Sequence, residues 1–415
     1  MNPSLSDLTR VFTRIGLMSF GGPAAQIAVM HKELVEDRPW LSEDQFLRAL
    51  SFCMLLPGPE AMQLCTYAGW RLRGTLGGLI AGLLFVLPGA AVMFALVLAY
   101  ANWGNVPGVE ALFLGIKATV IVVVLQALWR LGRKTLKRPL HWIIALVAFV
   151  ALYLFGLPFP LVIVAAALFG ALRPVTEGTI HPAPTPQTRT TLSTIALWSA
   201  LWAAPIALAA MLGAEFLVDV GLFFSKLAVV SFGGAYAVLA YMAQAAVEAE
   251  GWISAGQMVD GLGLAETTPG PLILVTQFVG FMAGYNLAGA GLAFAAGLMT
   301  LWTTFVPCFL WIFTAAPHVE WLTSQPRLVA ALRAITAAIV GVIANLMLWF
   351  AMAVFFARTL PIWKGLPGVR PDISSVDLTA VGLCALSALL LTRLSLPVTL
   401  ICMALAGLGS NLLFT

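Results

Sequence analysis

The chain is 415 residues long, 61% hydrophobic and only 10% charged, with a net charge of +4 and a mean hydropathy of +0.97. So few charges cannot cover the surface of a water-soluble protein of this size, which argues against a soluble enzyme or a nucleic-acid-binding domain. Uncharged apolar runs at 76–100, 192–214 and 394–415 reach the roughly 20 residues of a membrane-crossing helix, and the alternating segments of a β-barrel are absent. The expected fold class is an all-α polytopic membrane protein.

In chain order, Asp7, Arg10 and Arg14 precede the first apolar run, which Gly21-Gly22-Pro23 interrupts; this is not the pattern of a cleaved signal peptide. Spans are predicted near 15–30, 43–70, 76–100, 109–128, 140–156 and 159–172. Glu33, Glu36, Asp37, Glu43 and Asp44 read as a solvated loop face, and Trp40 as an interfacial anchor. Pro57-Gly58-Pro59 breaks the second span, because neither proline has an N–H to donate and Gly58 tolerates unusual φ. Pro59 then suits the first position of a new helix, with Glu60 in its first turn. Arg71 and Arg73, and further on Arg130, Arg133, Lys134, Lys137 and Arg138, mark two connections as cytoplasmic by the positive-inside rule.

A Pro/Thr-rich linker at 179–191 and one extra apolar run at 192–214 follow, and then the first half of the chain is repeated. A shift of 212 residues carries Ser19-Phe20-Gly21-Gly22 onto Ser231-Phe232-Gly233-Gly234 and Arg14 onto Lys226. The same shift carries Trp40-Leu41-Ser42 onto Trp252-Ile253-Ser254, Gln45 onto Gln257, and Pro57-Gly58-Pro59 onto Pro269-Gly270-Pro271. Beyond it the register drifts: Phe85 to Pro88 resembles Thr304 to Pro307, Lys117-Ala118 resembles Arg333-Ala334, and Pro160 to Gly170 resembles Pro397 to Gly407. Residues 1–178 and 215–415 are therefore read as homologous repeats, with 179–214 a linker and a connecting helix. One additional crossing between two even-numbered halves turns them opposite ways, which predicts an inverted repeat of about thirteen membrane segments. The place of Arg71 to Gly74 is taken in the second repeat by uncharged Ala283 to Asn286, in keeping with inversion, whereas Arg358, Lys364 and Arg370 fall in a loop that inversion puts outside.

Broken helices carry the chemistry. In hydrocarbon a helix is interrupted only where protein or a water-filled cavity satisfies the released backbone groups, and a helix start pointing inward offers free N–H groups and partial positive charge. For any one break an ordinary proline kink or close glycine contact is the competing reading, and repetition in register favours the site. Ala235 stands where Pro23 does in the first repeat, so the second Gly-Gly break is expected to be softer. Arg14 and Lys226, each five residues before its Ser-Phe-Gly-Gly, together with Lys117 and Arg333, form two repeat-related basic pairs suited to an anion. For Arg14, snorkelling to the interface stays open as the alternative. The candidate substrate-binding set adds Ser19, Gly21, Gly22, Pro23, Pro57, Gly58, Pro59, Ser231, Gly233, Gly234, Thr267, Thr268, Pro269, Gly270 and Pro271 to these four cations. Glu60 and Glu266 are candidate proton carriers, and Glu60 has a competing role as a helix-start acid. No nucleotide-binding glycine loop or metalloprotease motif occurs, the histidines are scattered, and the five cysteines lie in apolar segments without ligand spacing. No cofactor, metal or catalytic role is expected.

Ser-Phe-Gly-Gly-Pro near the start, a Trp-Leu-Ser segment, Leu-x-Pro-Gly-Pro some fifteen residues later and their repetition resemble the long-chain chromate ion transporter family over essentially the whole chain. The resemblance implies a multi-pass protein of the bacterial inner membrane that exports chromate, driven by the proton motive force, with halves of opposite orientation. The residues themselves reach only a secondary transporter for an oxyanion; sulfate, a tetrahedral dianion of similar size, stays open as the substrate. An anion channel or an intramembrane enzyme is the alternative of another class. The expected partners are the oxyanion and the lipid bilayer, with no nucleic acid, and a homodimer is allowed.

Overall fold

The computed structural model describes residues 3–104, 106–173, 188–232, 235–319, 325–363 and 367–414. Gly233, Gly234, Lys364 and most of the 179–191 linker lie outside them. The described residues are overwhelmingly helical, and the protein is an all-α polytopic membrane protein. Their only sheet is a two-stranded hairpin, β1 (Thr359–Pro361) against β2 (Val369–Pro371).

The first half folds as α1 (Leu5–Met18), α2 (Gly22–His31), α3 (Glu43–Cys53), α4 (Glu60–Trp103), α5 (Pro107–Thr135), α6 (Pro139–Tyr153) and α7 (Phe159–Ala171). The extra apolar run is α8 (Thr188–Met211). The second half folds as α9 (Glu215–Val230), α10 (Ala235–Met242), α11 (Ala255–Thr267), α12 (Val275–Ala288), α13 (Ala290–Ala315), α14 (Pro326–Phe355), α15 (Leu378–Leu390) and α16 (Leu396–Phe414). Among the described residues α4, α5, α8, α13 and α14 are long and apolar enough to cross a bilayer.

The repeated phrases have local structural meanings. Ser42 caps α3 while the Gln45 side chain reaches back to the Ser42 N–H, a reciprocal capping box that satisfies two helix-end donors. Ser254 and Gln257 form the same pair at the start of α11. Each box follows a π-helical turn, at Lys32–Glu36 and at Ala243–Ala249. The turn after each Pro-Gly-Pro helix is also repeated, at Gly74 (φ 62°, ψ −157°) and Gly289 (φ 78°, ψ −164°). The second of these lies just beyond Ala283 to Asn286, where the sequence placed it, because the register has already drifted.

The chain divides into two compact units, and each draws on both sequence repeats. The first comprises Met1–Val97, Pro174–Val238 and Thr268–Val329; the second comprises Leu98–Arg173, Leu239–Thr267 and Ala330–Thr415.

In the first unit the two broken segments of the first repeat enter and return at one end. Arg73 Nε donates to the Pro3 carbonyl at 2.6 Å, Arg14 pairs with Glu33 at 3.1 Å, and Pro3, Arg10, Arg38 and Trp40 line one cavity. The N-terminus, the 32–42 connection and the turn at Arg73–Gly74 therefore share an end, so α1–α2 and α3 with the start of α4 are re-entrant pairs. Their helices, 14, 10 and 11 residues for α1, α2 and α3, are individually too short to cross.

In the second unit, elements exchange between repeats. Gly170 of α7 packs directly on the α14 backbone at Ala330, and Gly407 of α16 packs on α5 at Ala111. Such close approach without side chains is the small-residue packing expected between membrane helices.

Candidate functional site

The first unit holds all four helix breaks, and they are bonded crosswise. The N–H of Gly58, in the first Pro-Gly-Pro, donates to the Ser231 carbonyl at 2.8 Å. The N–H of Gly270, in the second, donates to the Ser19 carbonyl at 2.9 Å. Each repeat thus closes the open helix end of the other, which answers where these released backbone groups go. Gly58 and Gly270 have φ of +112° and +87°, a region glycine enters at little cost, and this turns their N–H groups outward from their own helices. Ser19 and Ser231 are buried, with hydroxyls donating to the Ile15 and Ala228 carbonyls.

Two glutamines support the breaks. Gln26 of α2 is buried and donates to the Gly270 carbonyl at 2.7 Å, while Gln63 donates to the Pro57 carbonyl at 2.6 Å. Replacing Gln26 by leucine removes the donor to a buried carbonyl, a loss of about 1–3 kcal/mol. A lowered thermal unfolding midpoint of the purified protein is the expected result; an unchanged midpoint contradicts the bond. Gly89 of α4 comes so close to the second break that a Cβ there would stand 2.0 Å from the Pro269 carbonyl.

Helix α2 begins at Gly22, with Gly21 in the left-handed region (φ 83°) and Pro23 in its first turn; no side chain caps its N-terminus. Glu60 opens α4 directly after Pro59, the place of a first-turn acid favoured by the helix dipole. Pro57, Pro59, Thr268, Pro269 and Pro271 lie within the crosswise-bonded region, all but Pro57 buried. Ala235 opens α10, and whether the second Gly-Gly break is softer falls outside the described residues.

The predicted cations divide between the units. In the first, Lys226 is exposed on α9, close before Ser231. Its repeat counterpart Arg14 is paired with Glu33, whose other carboxylate oxygen accepts from Arg38. Glu33 is therefore not part of a solvated face, as the sequence reading has it: at 2% exposure it is a buried carboxylate clamped by two guanidinium groups. Its neighbours Glu36 and Glu43 do face solvent and hold His31, at 3.1 and 2.7 Å. The Glu43 hydrogen bond in particular raises the imidazole above its usual range, so this tie is full at acid pH and is lost as pH rises through the raised value.

In the second unit Arg333 is exposed on α14, and Lys117 is engaged. Its ammonium lies 3.2 Å from Asp260 of α11, and the other Asp260 oxygen accepts from the Tyr100 hydroxyl at 2.8 Å. Glu266, in the last turn of α11, is also buried, and Thr267 donates its hydroxyl to the Leu264 carbonyl. Asp260 and Tyr100 escape a reading built on repeat-equivalent charges, because the 212-residue shift places Arg48 opposite Asp260. The available signal was an acidic residue inside the otherwise apolar run around Gly261 to Ala265.

Among the described residues no group of His, Cys, Asp or Glu side chains could hold a metal ion, and the cysteines are free, with Cys53, Cys65 and Cys308 buried.

The profile of the chromate transporter family matches residues 6–171 and 218–409, one stretch in each repeat. The chain is 35% identical over 347 residues to a chromate transport protein of Pseudomonas aeruginosa, covering 82% of this chain and 79% of that one. It is 31% identical over 348 residues to a probable chromate transport protein of Synechococcus elongatus, covering 82% and 83%. YwrA, an uncharacterised transporter of Bacillus subtilis, is 30% identical over 169 residues that make up 94% of its own length and 40% of this chain, as a single repeat would. No solved structure matches. With both repeats matched and relatives aligned over most of their length, the chain belongs to the chromate transporter family, a family of membrane transporters and not of enzymes.

Proposed function

We propose that this protein is a secondary active transporter that exports chromate across the bacterial inner membrane at the expense of the proton motive force. The observation that carries the reading is the crosswise bonding of the four breaks, Gly58 to Ser231 and Gly270 to Ser19. Two repeats that each terminate the other's broken helices form the kind of centre around which inverted-repeat transporters bind a substrate and expose it alternately. Helix starts at such breaks bring backbone N–H groups and partial positive charge, which suit a dianion. Within the first unit we assign the anion-binding role to residues 19–23, 57–59, 231–234 and 268–271 together with Lys226. Arg14, held by Glu33, is assigned a supporting role at the end of the re-entrant pair. Lys117 and Arg333 are assigned an anion-binding role in the second unit, and Glu60 and Glu266 remain the proposed proton carriers. The named activity of the Pseudomonas aeruginosa and Synechococcus elongatus relatives supports chromate over other oxyanions.

The test is chromate uptake into everted membrane vesicles, with and without an uncoupler and with competing sulfate. Uptake that collapses with the uncoupler supports export energised by the proton motive force. Uptake indifferent to uncoupler and gradient overturns active transport and leaves a channel. Full inhibition by equimolar sulfate widens the substrate class to tetrahedral dianions.

A further inference from the structure

Within the second unit one buried acid sits where no repeat symmetry requires it. Asp260 is 4% exposed, and its two oxygens are divided between a cation, Lys117 at 3.2 Å, and a neutral donor, Tyr100 at 2.8 Å. The Lys117 ammonium also reaches the first turn of α11 at Gly256, where a Cβ would stand 3.8 Å away. Lys117 keeps 23% of its side chain exposed, so unlike Asp260 it is open to a solute.

An ionised carboxylate and an oxyanion compete for the same ammonium, because each offers the charge that compensates a poorly solvated lysine. A buried Lys–Asp pair is also costly to keep in a membrane protein, and such pairs mark ion or proton pathways. We propose that Asp260 is an internal competitor for the transported anion: ionised, it occupies Lys117; protonated from solvent, it releases Lys117 to an oxyanion. Proton uptake at Asp260 and anion binding at Lys117 are then positively linked, each favouring the other by the same factor. The inference rests on the reading of Lys117 as an anion-binding cation.

The charged and titratable groups around Asp260 fit this role. Tyr100, from α4, donates its hydroxyl to one carboxylate oxygen. Lys117, from α5, stands at the other, and Glu110 lies on the same helix as Lys117. From the π-turn preceding α11, Glu248 hydrogen-bonds Trp349, and α16 brings only Cys402. On α11 itself the other acid is Glu266.

The experiment is equilibrium binding of chromate to the full-length protein in detergent, between about pH 7 and 8.5. In the wild type, affinity is expected to weaken as pH rises, by up to about tenfold per pH unit. In Asp260→Asn, Lys117 is permanently released: binding is expected to be about tenfold tighter at the alkaline end, and flat with pH. In Tyr100→Phe the carboxylate loses its neutral donor, so the sloping part of the profile is expected to move to higher pH with no change of net charge. A merely structural role for the triad predicts the opposite in Asp260→Asn, weaker binding with the slope intact, and no shift in Tyr100→Phe. Either result overturns the proposal, and the unshifted Tyr100→Phe profile does so even where Asp260→Asn fails to fold. A wild type that binds no chromate overturns the functional reading itself, whereas a wild type that binds with altered variants behaving like it sinks only the role of Asp260.

Discussion

Substituting alanine for Gly89 is expected to reduce chromate transport at least tenfold while leaving the chain in the membrane. The added methyl would stand 2.0 Å from the Pro269 carbonyl and 2.6 Å from Leu274 Cδ1, and the first of these is backbone that cannot rotate aside. Overpacking of this kind costs about 1–3 kcal/mol, and each 1.4 kcal/mol is a factor of ten. The strain falls on the second Pro-Gly-Pro, where Gly270 ties to the Ser19 carbonyl and accepts from Gln26, so the displacement reaches the first repeat's break as well. Gly382→Ala is the control: nothing lies within 4 Å of its Cβ position on α15, and alanine favours a helix. Rates of chromate uptake per unit of immunoblotted protein in everted vesicles check the pair. Equal rates for the two variants would show that the contact between α4 and the second break carries no weight in transport.

Lys226→Gln is expected to cost about two orders of magnitude in chromate transport without loss of membrane insertion. Two orders of magnitude correspond to about 2.7 kcal/mol, within the range for taking one charge from an ion pair that becomes desolvated when the anion binds. Glutamine keeps most of the length and an N–H donor and removes the charge. Arg14→Gln, at the equivalent position of the first repeat, should behave differently. Its guanidinium serves the buried Glu33, which retains Arg38, so the expected effect is a lower unfolding temperature with transport reduced far less. Steady-state uptake and thermal unfolding, measured on both variants, separate the two roles; comparable transport losses would restore Arg14 to the anion site, and a fully active Lys226→Gln would move that site elsewhere.

The breaks were legible in the sequence because their cause is local. Proline without an N–H and glycine at positive φ end a helix wherever they occur, and Pro57-Gly58-Pro59 and Pro269-Gly270-Pro271 do so at both copies. The Trp-x-Ser segment was legible as a repeat, yet its purpose emerged only with the capping boxes Ser42–Gln45 and Ser254–Gln257. Glu33 misled the reading because a run of acids in a loop resembles a solvated face, and its pairing with Arg14 of α1 and with Arg38, five residues on, appears only in the folded chain. Asp260 and Tyr100 were missed because 160 residues separate them and neither has a repeat counterpart of its own type.

By itself, the sequence determined the membrane class, the repeated phrases and the helix breaks, since hydropathy and proline chemistry act within one helix or one turn. Only the tertiary structure decided that the first repeat's broken segments return to the end they entered from, and that each break is closed by the serine carbonyl of the other repeat. The physical reason is that a released N–H at a helix break must find an acceptor but does not specify which one. Ser19 and Ser231 offer identical carbonyls, and the choice between a repeat closing on itself and closing on its partner belongs to the packing of the whole chain.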